Sequence, residues 1–406
     1  MFRLSISLAL LLACTPLFAG AKVTSIFKAP VDGEIVKLDS VNRLEIKIAG
    51  TDVPERIALD EVEEVSFGQS AVERKKEETP LRVLLTNGDL LYGAPLDGPE
   101  ESEELFKLSS PRLGEMTIDV ESVARIENVA TVKPGVLPDI DAKDKEANDF
   151  LYFAPDGGDP KAQLMRVTKE GVVIYNPILK QDDKFSWSRV RGIVCKRKPV
   201  EAEKTLFGIF TLRDGSVLSA KIKGWSGGKL ELEHRQGKLS IEERNLMSVT
   251  MKNGRYVYVS DLEFSGVPDE RPFYLPADYK YDNYLFKVRK DRAQGGGSLT
   301  LRGRTFAKGL GVHALSKLTY ALRKGYSKLV TTIGVDDSAG DLASVEFKIY
   351  ADGKLVYESG VVRRSTPAID VSLDLLNVNE LVLEVTAADN ADIQDRANWA
   401  NLKLVR

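Results

Sequence analysis

Few side chains in this sequence could carry chemistry. His234 and His313 are its two histidines, and they fall in different predicted domains. A multi-histidine metal centre is thereby excluded, and a Ser-His-Asp triad could be built around only one of them. His313 closes the turn Gly309-Leu-Gly-Val-His313. Two roles are open to it: a ring bonded to backbone or to a carboxylate, or a ligand contact. No Gly-x-Ser-x-Gly elbow, Walker loop or dinucleotide fingerprint occurs. Gly295-Gly-Gly297 lies in a predicted loop before Leu299-Thr-Leu301 and opens no helix, so it reads as a flexible turn.

Carboxylates remain. Asp336 and Asp337 adjoin a predicted strand end. Neighbours on a strand point to opposite faces, so the two cannot easily form one acid/base pair. One is expected to cap a turn, the other to bond backbone or a ligand hydroxyl. Asp389, Asp392 and Asp395 recur at three-residue spacing in the predicted loop 387–398. Oxygen donors so close together could hold calcium, although no glutamate follows at EF-hand spacing. No catalytic constellation emerges from these groups, and the chain is expected not to be an enzyme.

Strands must position these residues. Leu318-Thr-Tyr-Ala-Leu322, Leu329-Val-Thr-Thr-Ile333, Val345-Glu-Phe-Lys-Ile-Tyr350, Val371-Ser-Leu-Asp-Leu375 and Leu381-Val-Leu-Glu-Val385 are strand-like, several with period-two alternation. Asp352-Gly353 is a hairpin turn signal. About eight short strands with short turns predict a two-sheet sandwich.

The order of sequence words here resembles the NPCBM family, carbohydrate-binding modules attached to some bacterial glycoside hydrolases. The resemblance covers roughly Tyr256 to Arg406. It rests on Lys308-Gly-Leu-Gly-Val-His313, Ser316, Tyr320, Gly334-Val-Asp-Asp337, Ser344-Val-Glu-Phe347, Ala351-Asp-Gly353 and Asp395-Arg-Ala-Asn-Trp399-Ala400. It implies a galactose-binding-like jelly roll, commonly carrying a structural calcium held by backbone carbonyls and an acidic side chain. Asp261, Asp389 and Asp395 are the candidate acidic donors. Where the family reads Asp-His-Ala-Asp-Trp, this chain has Arg396 for the histidine and Asn398 for the second aspartate.

Sugar recognition needs an aromatic face for the pyranose and planar polar groups for its hydroxyls. Trp399, Arg396, Asn398 and Tyr320 are of the right types, with His313, Asp336 and Asp337 as further candidate contacts. Trp399 precedes the predicted closing strand Leu402-Lys-Leu404, so it reads either as core or as stacking platform. The aromatic stretch from Phe273 to Tyr284 could likewise stack a ligand or pack on the preceding domains.

The rest of the chain reads as repeats. Leu84-Leu-Thr-Asn-Gly-Asp-Leu-Leu-Tyr-Gly93 and Thr211-Leu-Arg-Asp-Gly-Ser-Val-Leu-Ser-Ala220 both spell strand, tight turn, strand. Each is followed by a further strand pair and a short apolar i, i+3 pair, Val123 with Ile126 and Leu246 with Val249. Val62 with Val65 and Val190 with Ile193 close two degenerate copies. Units of about 60 residues suit SH3-like or Sm-like β-barrels, and single units so small are marginal alone. The predicted organisation is a signal peptide over 1–21, two β-repeat units over 22–130, a linker over 131–149, two more units over 150–252, and the sandwich over 253–406. The fold class is all-β.

Residues 1–21 carry Arg3, an apolar run and a small-residue cleavage site, the pattern of an export signal. Leu11-Leu-Ala-Cys14 loosely resembles a lipoprotein box, so a membrane partner is expected only if Cys14 is lipidated. With the signal removed, Cys195 stands alone and no intrachain disulfide forms. It ends an apolar run and reads as a core thiol. Lys plus Arg number 57 and Asp plus Glu 60, a net charge of −3, which gives no reason to expect a nucleic-acid partner. The charged run 73–78 and Lys196-Arg-Lys-Pro199 read as surface loops. Together these features predict an exported, non-catalytic glycan-binding protein. The alternative is a cell-envelope scaffold that binds other proteins through its β-repeats.

Overall fold

The computed structural model describes residues 20–72, 74–99, 102, 104–133, 135, 137, 149–153, 157–196, 200–201, 203–265, 287–389 and 391–406. The signal-like residues 1–19, most of the 131–149 connector, Arg197–Pro199 and the aromatic stretch Phe273–Tyr284 lie outside them. The described residues form strands joined by turns and short 3-10 segments. The chain divides into two compact units, Met1–Gly254 and Arg255–Arg406.

Four five-stranded modules make up the first unit. Module one uses Ala21–Ser25, Val31–Leu38, Arg43–Lys47, Glu55–Ala58 and Val62–Ser66. Module two uses Leu81–Leu85, Leu90–Leu96, Leu105–Ser110, Gly114–Asp119 and Val123–Asn128. Module three uses Asp149–Phe153, Gly158–Val167, Gly171–Asn176, Gln181–Ser186 and Val190–Val194. Module four uses Phe207–Leu212, Val217–Ser226, Lys229–His234, Gly237–Glu242 and Leu246–Lys252. In every module the first four strands pair antiparallel in succession and the fifth returns to the first. Alternation drives this: Leu81, Val83 and Leu85 are buried while Arg82 and Leu84 between them are less so. The turns at Asn87-Gly88 and Asp214-Gly215 place glycine at φ +90° and +85°, where a side chain would be strained.

The modules join through their fifth strands. Those of modules one and four pair at Val65 and Val249, those of two and three at Ile126 and Ile193. Modules two and four meet where Leu90 pairs with Val217. One apolar core runs through all four modules, with Phe67 and Trp225 6.2 Å apart and Cys195 buried among its members. Sharing a core offsets the small burial that any single five-stranded module could achieve.

The second unit is a sandwich of two antiparallel sheets. The larger runs in the order Arg289–Lys290, Gly309–His313, Arg396–Val405, Lys328–Val335, Ile369–Asp374, with Tyr256–Tyr258 also on Arg396–Val405. The smaller runs Ser316–Ala321, Glu380–Ala387, Ser344–Ala351, Lys354–Arg363. Leu310, Val312, Ile333, Trp399 and Leu404 meet Leu318, Tyr320, Phe347, Ile349 and Leu383 in the core between them. The hairpin Leu299–Leu301 and Arg304–Phe306 covers part of the larger sheet's other face, packing Leu299, Leu301 and Phe306 on Ala400.

Candidate functional site

Strand parity decides which of the candidate residues can face a ligand. Arg396–Val405 is strand from its first residue, so Ala397 and Trp399 point into the core while Arg396 and Asn398 point outward. Trp399 is fully buried, edge-on to Phe347 with ring centroids 4.9 Å apart. It is a core residue, and a sugar stacking on it would have to displace the smaller sheet. Tyr320 is buried in the same core.

The Gly-Leu-Gly motif obeys the same parity. Leu310 and Val312 face the core, and Gly309, Gly311 and His313 face out. At Gly311 a Cβ would sit 2.2 Å from the Arg292 carbonyl oxygen, because residues 292–294 lie directly over the strand. Gly309 has φ +144°, and a Cβ there would sit 2.4 Å from the Trp399 carbonyl oxygen. Both glycines are required by close backbone approach, and this presents His313 on the outer face opposite Arg396, its partner in register.

Asp336 and Asp337 both bond backbone of the covering hairpin and do not part to opposite faces as strand alternation predicts, because both lie past the strand end at Val335. Asp336 is buried, and its Oδ1 accepts from the Ser338 amide at 2.9 Å and the Ser338 hydroxyl at 2.5 Å. Its Oδ2 accepts from the Thr300 amide at 3.2 Å and from Asn398 Nδ2 at 2.5 Å. Asp337 accepts the Arg302 and Gly303 amides at 2.8 and 2.7 Å, closing the covering hairpin. Asn398 is buried beneath that hairpin. These three build the floor of the outer face.

Arg396 and His313 remain at its edge. Arg396 Nη1 donates to the Ser338 carbonyl at 3.1 Å, and Gly295 lies against the guanidinium, where a Cβ would come within 3.3 Å of Nη1. Gly295 is therefore a close-approach glycine as well as part of a turn. Burial pushes the His313 imidazole below its usual range, opposed by its Ala314 backbone bond and the Asp392 charge. The ring is thus neutral near pH 7, with Nδ1 buried and one nitrogen engaged by the Ala314 backbone, so it has at most one nitrogen to turn to a ligand. A guanidinium fork beside a neutral imidazole can bond sugar hydroxyls.

The candidate calcium donors do not form one set. Asp261 binds Lys308 Nζ at 2.5 Å, which also binds Asp291 at 2.6 Å. Asp291 in turn accepts the Gly309 amide, whereas the Asp395 carbonyl accepts the Ala314 amide. Positions 309 and 314 lie about 16 Å apart along an extended strand. Asp389 pairs with Arg363. Among the described residues no three His, Cys, Asp or Glu side chains gather in metal-binding geometry. Asp261, Asp389 and Asp395 therefore do not share one ion, and Asp389, Asp392 and Asp395 form no three-carboxylate cluster.

Asp395 has a different significance. It is fully buried; Oδ1 accepts the Ser344 amide at 2.8 Å, and Oδ2 has no hydrogen-bond partner. Burial pushes its carboxyl up to about 7, the Asp392 charge adding to the rise and the Ser344 bond opposing it. The folded state therefore holds a proton that the unfolded chain releases near the ordinary aspartate value of 3.8. Stability from this group is full below that value, falls by about 1.4 kcal/mol per pH unit as pH rises, and levels off above about 7. The sandwich's Tm is expected to drop between pH 5 and pH 7, and Asp395→Asn to flatten that slope. Calorimetry at pH 5, 6, 7 and 8 reads both, and an unchanged slope in Asp395→Asn would refute the assignment.

In the first unit a buried histidine–carboxylate pair forms that no local sequence pattern marks. His234 and Asp89 are both buried, Nε2 to Oδ2 at 2.7 Å. The Gln236 amide donates to His234 Nδ1 at 3.1 Å, which leaves the ring proton on Nε2, donated to Asp89. Ser219 Oγ donates to Asp89 Oδ1 at 2.5 Å and not to the imidazole. The serine is therefore not activated by a base, and the cluster ties module two to module four.

Residues 256–405 match the NPCBM/NEW2 domain. The chain is 30% identical over 156 residues to a Renibacterium salmoninarum protein named "Putative endo-alpha-N-acetylgalactosaminidase", covering 36% of this chain and 9% of that one. It is 29% identical over 120 residues to alpha-1,3-galactosidase B of Akkermansia muciniphila, covering 29% of this chain and 15% of that one. The chain thus spans only a small part of the length of these curated relatives. Similar solved structures include CBM51 from Clostridium perfringens GH95 in complex with methyl-galactose, 28% identical with a TM-score of 0.31, over 37% of this chain and 99% of that one. Another is CBM51-2 with INT domains from Clostridium perfringens ZmpB, 26% identical with a TM-score of 0.32, over 51% of this chain and 38% of that one. The C-terminal third of the chain, residues 256–405, is thus similar to the NPCBM/NEW2 domain.

Proposed function

We propose that the chain is an exported, non-catalytic lectin whose sandwich binds a galactose-configured sugar through Arg396 and His313. The observation that carries this is their register pairing on the outer face, with Trp399 turned away into the core. The sugar class is supported by the names of the two curated relatives, one acting on galactose and the other on N-acetylgalactosamine. Both sugars carry an axial C4 hydroxyl, and a guanidinium fork recognises such a hydroxyl together with its neighbour. Asp336 and Asp337 are committed to backbone amides, which supports binding without turnover. A shallow site of this kind gives weak affinity unless it is presented multivalently. Export rests on the signal-like pattern of residues 1–21.

A glycan array probed with the full chain, with and without calcium, tests the reading. Binding to galactose-terminated or N-acetylgalactosamine-terminated glycans, recovered uncleaved, is the expected result. Release of a shortened glycan would make the protein an enzyme. Binding to none would leave the scaffold reading, with envelope proteins as partners.

A further inference from the structure

The hairpins of modules two and four are related by a local two-fold axis. Around the pair Leu90 and Val217 each hairpin reaches across to the other: the Ser219 amide donates to Asp89 Oδ1 at 2.9 Å, and the Tyr92 amide donates to Ser216 Oγ at 3.2 Å. Asp89 and Ser216 hold corresponding positions after their turns, as do Tyr92 and Ser219. Each turn consequently borders a cleft, closed on the other side by the segment leading into the partner hairpin.

The two clefts differ in charge. The one beside Asn87-Gly88, about 840 Å³, is neutralised. Lys204 pairs with Glu201, Lys221 with Glu203, and Glu233 with Lys223. The one beside Asp214-Gly215, about 620 Å³, is not. Arg74, Lys76 and Lys133 line it, and among the described residues none of them has an ion pair. Arg213 donates to the Ser70 carbonyl at 3.0 Å rather than to a carboxylate. Arg74 lies 3.5 Å from the centroid of the buried Tyr92 ring, which fixes the guanidinium while leaving its N–H edge free to bond.

One acceptor stands among these cations. Asp214 is 7% exposed; its Oδ1 takes the Ser216 amide at 2.9 Å, and its Oδ2 is buried without a hydrogen-bond partner. Oδ2 would repel a bare anion placed against it, but it suits a hydroxyl donor. The cations suit a sulfate or carboxylate, which Arg binds in bidentate fashion. We infer that this cleft is a second saccharide site, for an acidic sugar: its anionic group lies on Arg74, Lys76 and Lys133, and a ring hydroxyl donates to Asp214. The site stands on its own residues, independently of the sandwich.

Calorimetric titration of the full chain with oligogalacturonate, a sulfated dextran oligosaccharide and neutral dextran tests this, in folded variants matched by Tm. At least one acidic oligosaccharide is expected to bind and neutral dextran not to; which acidic probe binds tells carboxylate from sulfate. Arg74→Gln and Lys133→Gln are each expected to weaken that binding about tenfold, the loss of one charge-assisted bond. Asp214→Asn keeps the Ser216 bond but puts an N–H where Oδ2 was. It is expected to weaken binding even though it removes a negative charge. Arg396→Ala should leave acidic binding unchanged, which separates this site from the sandwich. The inference is overturned if neither acidic probe binds, if Arg74→Gln has no effect, or if Asp214→Asn tightens binding, the mark of a bare electrostatic patch.

Discussion

Trp399→Ala is expected to destabilise the sandwich by about 3–5 kcal/mol, the cost of emptying a fully buried aromatic site. The indole is wholly buried and makes an edge-on contact with Phe347, an arrangement that adds about 1 kcal/mol beyond area. Against a typical domain stability of about 5–15 kcal/mol this is a large fraction. For a unit of this size the loss corresponds to a drop in Tm on the order of 10 °C. Scanning calorimetry of the full chain reads it. Loss of glycan binding in this variant would report unfolding and would not locate a site. A stable Trp399→Ala with unchanged Tm would mean that the ring is not core, and the parity assignment would fall with it.

Asp336→Ala has an expected cost of similar size by another route. Four donors converge on this carboxylate: the Thr300 amide, the Ser338 amide and hydroxyl, and Asn398 Nδ2. Removing it leaves buried donors without an acceptor, about 3–5 kcal/mol in all. Asp336→Asn keeps one carbonyl oxygen and should cost about half. Asp337→Ala serves as the control. It gives up two amide bonds at a partly exposed turn, and about 1 kcal/mol is expected. Denaturant unfolding of the three variants gives the ranking, and an Asp337→Ala loss equal to that of Asp336→Ala would contradict it.

Turn chemistry was the most legible part of the sequence. Asn87-Gly88, Asp214-Gly215 and Asp352-Gly353 all lie at hairpin tips, with glycine φ values of +90°, +85° and +77°. Strand parity does not reach Asp336 and Asp337, which lie past the strand end at Val335 and both bond the Leu299–Phe306 hairpin. The same rule would have separated Arg396 from Trp399, three residues apart, had the strand been read from Arg396. The sequence pattern starts the strand only at Leu402 because Ala397-Asn-Trp-Ala-Asn401 does not alternate apolar with polar throughout. The structure explains why: that stretch is covered on both faces, by the core on one and by the Leu299–Phe306 hairpin on the other. Strands buried twice lose their period-two signal. The Asp89–His234 pair and the Arg74–Tyr92 contact were illegible for another reason. Asp89 and His234 meet only when modules two and four dock, Arg74 reaches Tyr92 from the segment ahead of module two, and no local pattern marks either contact.

The central claim is that the outer-face pair Arg396 and His313, not the buried tryptophan, holds the sugar. Calorimetric titration of the full chain and of Arg396→Ala with an alpha-1,3-linked galactose disaccharide tests it most directly. Among the described residues the Arg396 side chain makes one hydrogen bond, to the Ser338 carbonyl, so its removal should leave Tm within a few degrees. The account predicts that Arg396→Ala stays folded and binds about tenfold more weakly or not at all. Equal affinity in the two proteins would contradict it and place the sugar elsewhere on the chain.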